Sequence, residues 1–389
     1  MPPQLDSEGP DVVTPLPDFQ LETYFSRWEF TARYHLTASD AQTMTMAELL
    51  ALADDHDREA WETLSLGYTE TFGDPALRQA IAEMYPEGEA DDVLCFAGAE
   101  EGLYLAMQVL LGPDDHAVVV TPNYQAAETV PLALCSVTGV ALRPENDWTL
   151  DVDEVKAALR PNTRVVSVNF PHNPTGKVMD AAEFARLAEL CDERGIHLFS
   201  DEVYRGLELD QRRTLPNAAD LSDRALSLNV TSKSLGLPGL RIGWIVCRDR
   251  ELLSRLERAK HYTTICNSAP SEVLARIAVK ARETILERNR AIIATNLPVF
   301  ESFFTEFDSL FDWRAPDGGC VTYLRYKGAD GVEQFCADLV NEAGVLLLPA
   351  SIYRSELTAT PHDHFRVGVG RSDPEPGLDA FRGWLRTRA

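Results

Sequence analysis

None of the seven cysteines (Cys95, Cys135, Cys191, Cys247, Cys266, Cys320, Cys336) stands in a CxxC pair or at metal-finger spacing. That excludes a zinc knuckle or a CxxC redox centre as the organising feature, and no metal site is expected. An odd, scattered set fits reduced thiols. Positive charge is scarce too, with 36 Lys and Arg against 61 Asp and Glu and a formal net charge of -25. Nucleic acid and anionic membrane surfaces both demand concentrated Lys and Arg, so neither is an expected partner. No apolar run approaches the roughly 18 residues that a membrane helix needs. The opening MPPQLDSEGPDVV lacks the basic and apolar regions of a secretory leader, and no internal repeat is visible. The expectation is a cytoplasmic protein of enzyme size.

What is present is an ordinary globular composition, 45% apolar and 25% charged, over 389 residues. That length exceeds one simple core and favours two domains. Residues 1–18, rich in Pro and Asp, read as a mobile arm. From about Asp92, short apolar runs alternate with helical periodicity. Val93–Phe96, His116–Thr121, Arg164–Phe170, Ile196–Ser200 and Ala225–Val230 read as strands, with helices over Glu100–Leu111, after Tyr124, and over Ala181–Arg194. The strands are continuous apolar runs, the mark of strands buried on both faces of a mostly parallel sheet. This predicts an α/β fold with a three-layer, doubly wound large domain. Residues from about Ser268 to Phe307 read as long helix. Val321–Tyr326, Val345–Leu348 and Phe365–Val369 then read as strands of a smaller α+β domain.

The inner strands end in unusual polar company. RVVSVNF runs into Pro171-His172-Asn173-Pro174-Thr175-Gly176, IHLFS into Asp201-Glu202-Val203-Tyr204, and SLNV into Thr231-Ser232-Lys233. In doubly wound sheets, ligands bind beyond the carboxyl ends of the strands. Lysine is costly to bury, and a desolvated amine becomes a nucleophile able to form a Schiff base. Asn, Asp with Tyr, and Lys thus reach one edge of one sheet. His172, on the opposite side of an extended backbone from Asn173, reads as structural.

The motifs NFPHNPTG, SDEVY and SKSLGLPGLRIGW resemble those of the class I and II aminotransferases, pyridoxal-phosphate enzymes of fold type I. Gly67-Tyr68-Thr69-Glu70 with Gly73, Leu77 and Arg78, then Gly98-Ala99-Glu100 and Pro122-Asn123-Tyr124, extend the resemblance in order over about residues 60–370. It implies Lys233 as the Schiff-base lysine and proton shuttle, and Asp201 as the partner of the pyridine nitrogen. Tyr204 and Asn173 would hydrogen-bond the phenolic oxygen, and Tyr124 would stack on the ring. Ser232, Arg241 and the backbone of Gly98, Ala99 and Glu100 would hold the phosphate. Tyr68 would reach the phosphate of a neighbouring subunit in a homodimer. Arg366, inside an apolar strand, needs an anion: a substrate α-carboxylate or a structural ion pair. Asn173 borders the same substrate group. The implied division is an arm (1–18), an N-terminal segment belonging to the small domain and dimer interface (19–60), a cofactor-binding large domain (61–285) and a C-terminal small domain (286–389).

The implied default reaction is amino-group transfer between an L-amino acid and a 2-oxo acid. The same motifs also resemble capreomycidine-synthase-like natural-product enzymes, which use the scaffold for elimination, replacement or ring building. The segment Phe30–Asp40 departs from the glycine-containing entry loop of ordinary aminotransferases, which borders the substrate side chain. Residues Tyr262–Leu274 read as a connection between helices whose small polar residues could face a partner's site. A regulator built on this fold would carry a basic DNA-binding domain in front; here about 20 acidic, proline-rich residues stand there.

Overall fold

A computed structural model describes residues 16–388; most of the expected N-terminal arm, residues 1–15, lies outside them. Seven strands form the main sheet in the order Val93–Phe96, Gly243–Val246, Leu226–Val230, His197–Asp201, Thr163–Asn169, His116–Thr121 and Ser136–Ala141. All neighbours run parallel except Gly243–Val246, which is antiparallel to both of its partners. The apolar runs explain the layering. Leu94 and Phe96 pack with Leu103 and Met107 of the helix Ala99–Leu110, while Val93 and Cys95 pack with Leu274 and Ala278 on the other face. Alternate side chains of each strand therefore feed different helical layers. Side-chain caps start the helices sharply: Asp180 accepts from the amides of Ala182 and Glu183 ahead of Ala181–Glu193, and Asp74 caps Pro75–Ala82.

A second sheet is antiparallel, in the order Leu348–Pro349, His364–Gly368, Val321–Tyr326 and Phe311–Asp312. It shares an aromatic core of Phe303, Phe311, Phe335, Phe365 and Phe381 with the helices Arg282–Glu306, Val332–Ala343 and Glu375–Arg386. The expected single strand Val345–Leu348 is split. Val345–Leu346 pairs in parallel with Tyr34–His35, whereas Leu348 pairs with Arg366. One apolar tetrapeptide thus serves two sheets, which periodicity cannot reveal. The strands Ser136–Ala141 and Gly243–Val246 escaped the sequence reading. Two helical boundaries also differ from it: the long helix breaks at Ala281, and Ala269 already begins a helix inside the expected connection 262–274.

The segment 36–43 is threaded between the turn after Lys233 and the end of His364–Gly368. The Gly368 amide donates to the Leu36 carbonyl (3.0 Å) and the Ala41 amide to the Lys233 carbonyl (3.1 Å). Arg366 donates to the Thr37 carbonyl (2.8 Å), and Arg288 to those of Gln42 and Thr43 (2.8 and 3.1 Å). Arg371 forms a fork with the Asp40 carboxylate (2.7 and 3.2 Å). Such closeness requires glycine at the contacts: a Cβ on Gly368 would lie 2.1 Å from the Ala38 carbonyl, and one on Gly236 2.7 Å from that of Gln42.

Gly368→Ala should therefore destabilise the chain by about 1–3 kcal/mol or more through overpacking. Gly383→Ala, in the open interior of the last helix with nothing near its Cβ, should stabilise it by about 0.5–1 kcal/mol. Urea denaturation of the two variants checks both signs.

Candidate active site

Thr163–Asn169, His197–Asp201 and Leu226–Val230 are adjacent and parallel, in a register that places Asn169 beside Asp201 and Asp201 beside Leu228. Their carboxyl ends open on a cavity of about 930 Å³. Its wall includes every residue predicted from the sequence except Gly98 and Tyr68: Ala99, Glu100, Tyr124, Asn173, Asp201, Tyr204, Ser232, Lys233, Arg241 and Arg366.

Lys233 Nζ donates to Ser39 Oγ (2.8 Å). Loss of bulk water lowers the amine's pKa, with Arg366 adding to the effect while Asp40 and Asp201 oppose it. Burial pushes the Asp201 carboxyl up to about 7, against the Val203 amide that donates to it (3.1 Å) and the charge of Lys233. A carboxyl so placed is better ionised once a cation faces it. Burial also raises the Tyr204 phenol, so it stands as a neutral hydroxyl. His172 ties the turn to the tyrosine loop, bonding Thr175 Oγ1 (2.8 Å) and the Pro122 carbonyl (2.9 Å). It is structural, as expected.

One end of the cavity suits a phosphate dianion. Gly98 caps the helix Ala99–Leu110 at φ +101°, with no side chain on the first amides. A Cβ there would lie 2.5 Å from Arg241 Nη2, so the missing side chain brings the guanidinium against the helix start. Arg241 also reaches Ser232 Oγ (3.5 Å) and the Pro238 carbonyl (3.2 Å). Backbone amides, a guanidinium and a hydroxyl form a fitting donor set for phosphate. Glu100 also lines the cavity. Its carboxyl, beside the Tyr124 hydroxyl, is pushed up to about 7 by burial.

Arg366 is fully buried (0% exposed) and has no carboxylate partner among the described residues. It donates instead to the Tyr353 hydroxyl (2.6 Å), Asn173 Oδ1 (3.2 Å) and the Thr37 carbonyl (2.8 Å). Tyr353 donates in turn to Asn173 Oδ1 (3.0 Å). The structural ion pair is thus absent, and an uncompensated cation faces the cavity. Tyr68 lies on the surface, 93% exposed, as do Leu66 and Tyr262.

Sequence reasoning missed the contribution of residues 21–42: Glu22, Phe25, Glu29, Phe30, His35, Ser39 and Asp40 all line the cavity, as does Arg371. The one signal was the departure of residues 30–40 from the common entry loop, which marked the segment without singling out its side chains. Asn169 was also missed; it donates to the Asp201 carbonyl (3.0 Å) and accepts from the Asn173 amide (2.8 Å), fastening two strand ends together.

Comparison with known proteins agrees with this geometry. Residues 33–375 match the family described as aminotransferase class I and II. The chain is 31% identical to capreomycidine synthase of Streptomyces vinaceus over 98% of this chain and 96% of that one. It is 37% identical to an arginine–pyruvate transaminase of Pseudomonas aeruginosa over 46% and 47% of the two chains. The solved structure of the PLP-dependent cyclase OrfR superposes with a TM-score of 0.86 at 27% identity, covering 98% of this chain and all of the other (100%). Since a buried amine, a carboxyl and a phosphate cradle stand at the strand ends of that matched region, the chain belongs to the class I and II aminotransferases, enzymes dependent on pyridoxal 5'-phosphate.

Proposed function

We propose that the protein acts at the α-carbon of an L-amino acid and transfers its amino group to a 2-oxo acid. The observation that carries this reading is Arg366: a buried guanidinium with no carboxylate partner among the described residues, opening on the same cavity as Lys233, calls for a substrate α-carboxylate. The chemistry that pyridoxal phosphate supplies when bound is an electron sink at that α-carbon. In this reading Lys233 holds the cofactor covalently and, once displaced, moves the α-proton. Asp201 supplies the negative charge that favours a protonated ring nitrogen. Tyr204 and Asn173 donate to the phenolic oxygen, and Tyr124 covers the ring face. Ser232, Arg241 and the amides at Gly98, Ala99 and Glu100 hold the phosphate.

Tyr68 then belongs to the phosphate of a second copy's site. The exposed Leu66, Tyr68, Tyr262 and Ile265 are consistent with a homodimer interface there. The division into an arm (1–18), an N-terminal segment (19–60), a large domain (61–285) and a small domain (286–389), and a cytoplasmic location, complete the proposal. No helix among the described residues is long and apolar enough to cross a membrane. Glu22 and Glu29 line the cavity beside Phe25 and Phe30, a lining suited to a substrate with a basic, partly apolar side chain. The arginine-named relative supports that class.

A second reading, elimination or ring building on the same scaffold, is favoured by the whole-length similarity to capreomycidine synthase and cyclase OrfR. Glu100 supports it too, as a group besides Lys233 able to carry a proton near neutrality.

Borohydride should fix the cofactor to the wild-type chain and leave Lys233→Ala unlabelled; an unlabelled wild type would refute the proposal. Incubation with basic L-amino acids and a 2-oxo acid acceptor should yield the new amino acid, followed by NMR. Consumption of the first substrate without amino transfer selects the second reading.

Asp201→Asn should lower turnover by at least roughly 10²-fold while stabilising the cofactor-free chain at alkaline pH. The sign follows from linkage. A carboxyl whose pKa is higher folded than unfolded favours folding fully at low pH, and loses that contribution as pH rises from about 4 to about 7. The neutral amide avoids that loss, so its advantage at pH 8 should reach up to about 4 kcal/mol and vanish near pH 4. Denaturation at the two pH values measures it.

A further inference from the structure

The hydrogen bonding around Lys233 points to a residue that the motifs do not contain. Its amine, which in the proposed function loses the cofactor bond when substrate arrives, has one polar side-chain contact among the described residues, Ser39 Oγ at 2.8 Å. A hydroxyl oxygen is a hydrogen-bond acceptor, so Ser39 can take an N–H of Lys233. The serine lies on the cavity wall with Lys233 and Tyr204, which the proposed chemistry uses.

Its position is fixed by bonds that the hydroxyl does not make. Leu36, Thr37, Asp40, Ala41, Gln42 and Thr43 anchor the segment on both sides of it. Removing the hydroxyl therefore leaves every one of those anchors in place.

We propose that Ser39 is a positioning residue for Lys233. It holds the free ε-amine by one N–H, keeping the nitrogen lone pair aimed into the cavity while the amine moves the substrate's α-proton. This rests on the proposed α-carbon chemistry. The proton balance is simple: Nζ takes the proton from the α-carbon, becomes an ammonium, and gives the proton up later in the turnover. Ser39 remains acceptor throughout and neither gains nor loses a proton. The charged groups facing Lys233 are Asp40, Arg366 and Asp201, with the Cys320 thiol nearby, and Asp40 is itself held by Arg371 (2.7 Å). The serine thus adds a directional contact where the surrounding charges are diffuse.

Two measurements on Ser39→Ala test this, with Ser39→Thr as the variant that keeps the hydroxyl. In the full chain without cofactor, the pH dependence of Lys233 acetylation, read by peptide mass spectrometry, reports the amine's protonation. Losing an acceptor for the ammonium should move the midpoint down by about one unit. In the loaded enzyme, cofactor content should be unchanged and KM within about 2-fold, while α-proton exchange into deuterated water slows roughly 10²-fold; Ser39→Thr should retain most of the exchange. An unmoved midpoint, an unchanged exchange rate, or equal loss in both variants would overturn the proposal. Failure of the wild type to take up cofactor would sink the proposed function, yet the acetylation measurement would still judge Ser39.

Discussion

An amine withdrawn from water is the constraint around which this structure is organised. Lys233 stands past the end of a central strand, at the wall of a cavity, with no carboxylate in hydrogen-bonding contact among the described residues. Such a group is expensive as a cation, and the surroundings answer the cost in a graded way. Asp40 and Asp201 supply negative potential without touching it, and Ser39 supplies one acceptor. The amine is thus destabilised as a cation and still held in place. Arg366 is a second buried cation, held by neutral acceptors and without an anion among the described residues.

A second buried lysine shows what the alternative looks like. Lys260 is fully buried, and its amine donates to the carbonyls of Thr71 (2.6 Å) and Cys95 (2.7 Å), beside the ring of Phe96. It fastens the loop after Tyr68 to an edge strand and does not line the cavity. Both lysines have lowered pKa values through burial. Lys260 is locked by two backbone acceptors, whereas Lys233, held among the described residues by one side-chain hydroxyl, opens on the cavity.

The threaded segment 36–43 links the two sheets to that chemistry. The chain pairs with Val345–Leu346 just before it, contacts the end of His364–Gly368, and passes within a backbone hydrogen bond of Lys233 itself. Arg366 and Arg371, both from the C-terminal part, grip it at Thr37 and Asp40. A shift of either sheet is therefore felt at the lysine. The same N-terminal stretch also lines the cavity with Glu22, Glu29 and His35.

The inner sheet and the polar residues at its edge are written in local patterns of the chain. Continuous apolar runs such as RVVSVNF and SLNV dictate buried parallel strands, and the polar residues after each run must emerge at its carboxyl end. Asn173, Asp201, Tyr204 and Lys233 were legible for that reason, and Arg366 because an arginine in an apolar strand demands an anion. That Arg366 has no carboxylate partner among the described residues emerges from the fold, which surrounds it with Tyr353, Asn173 and Thr37. The fold alone brought Ser39 to a lysine 194 positions away. It also split Val345–Leu348 between two sheets and left Tyr68 on the surface. Local patterns encode burial and direction along the chain. Contacts between distant segments depend on backbones that glycines such as Gly236 and Gly368 allow to touch, and no periodicity records that.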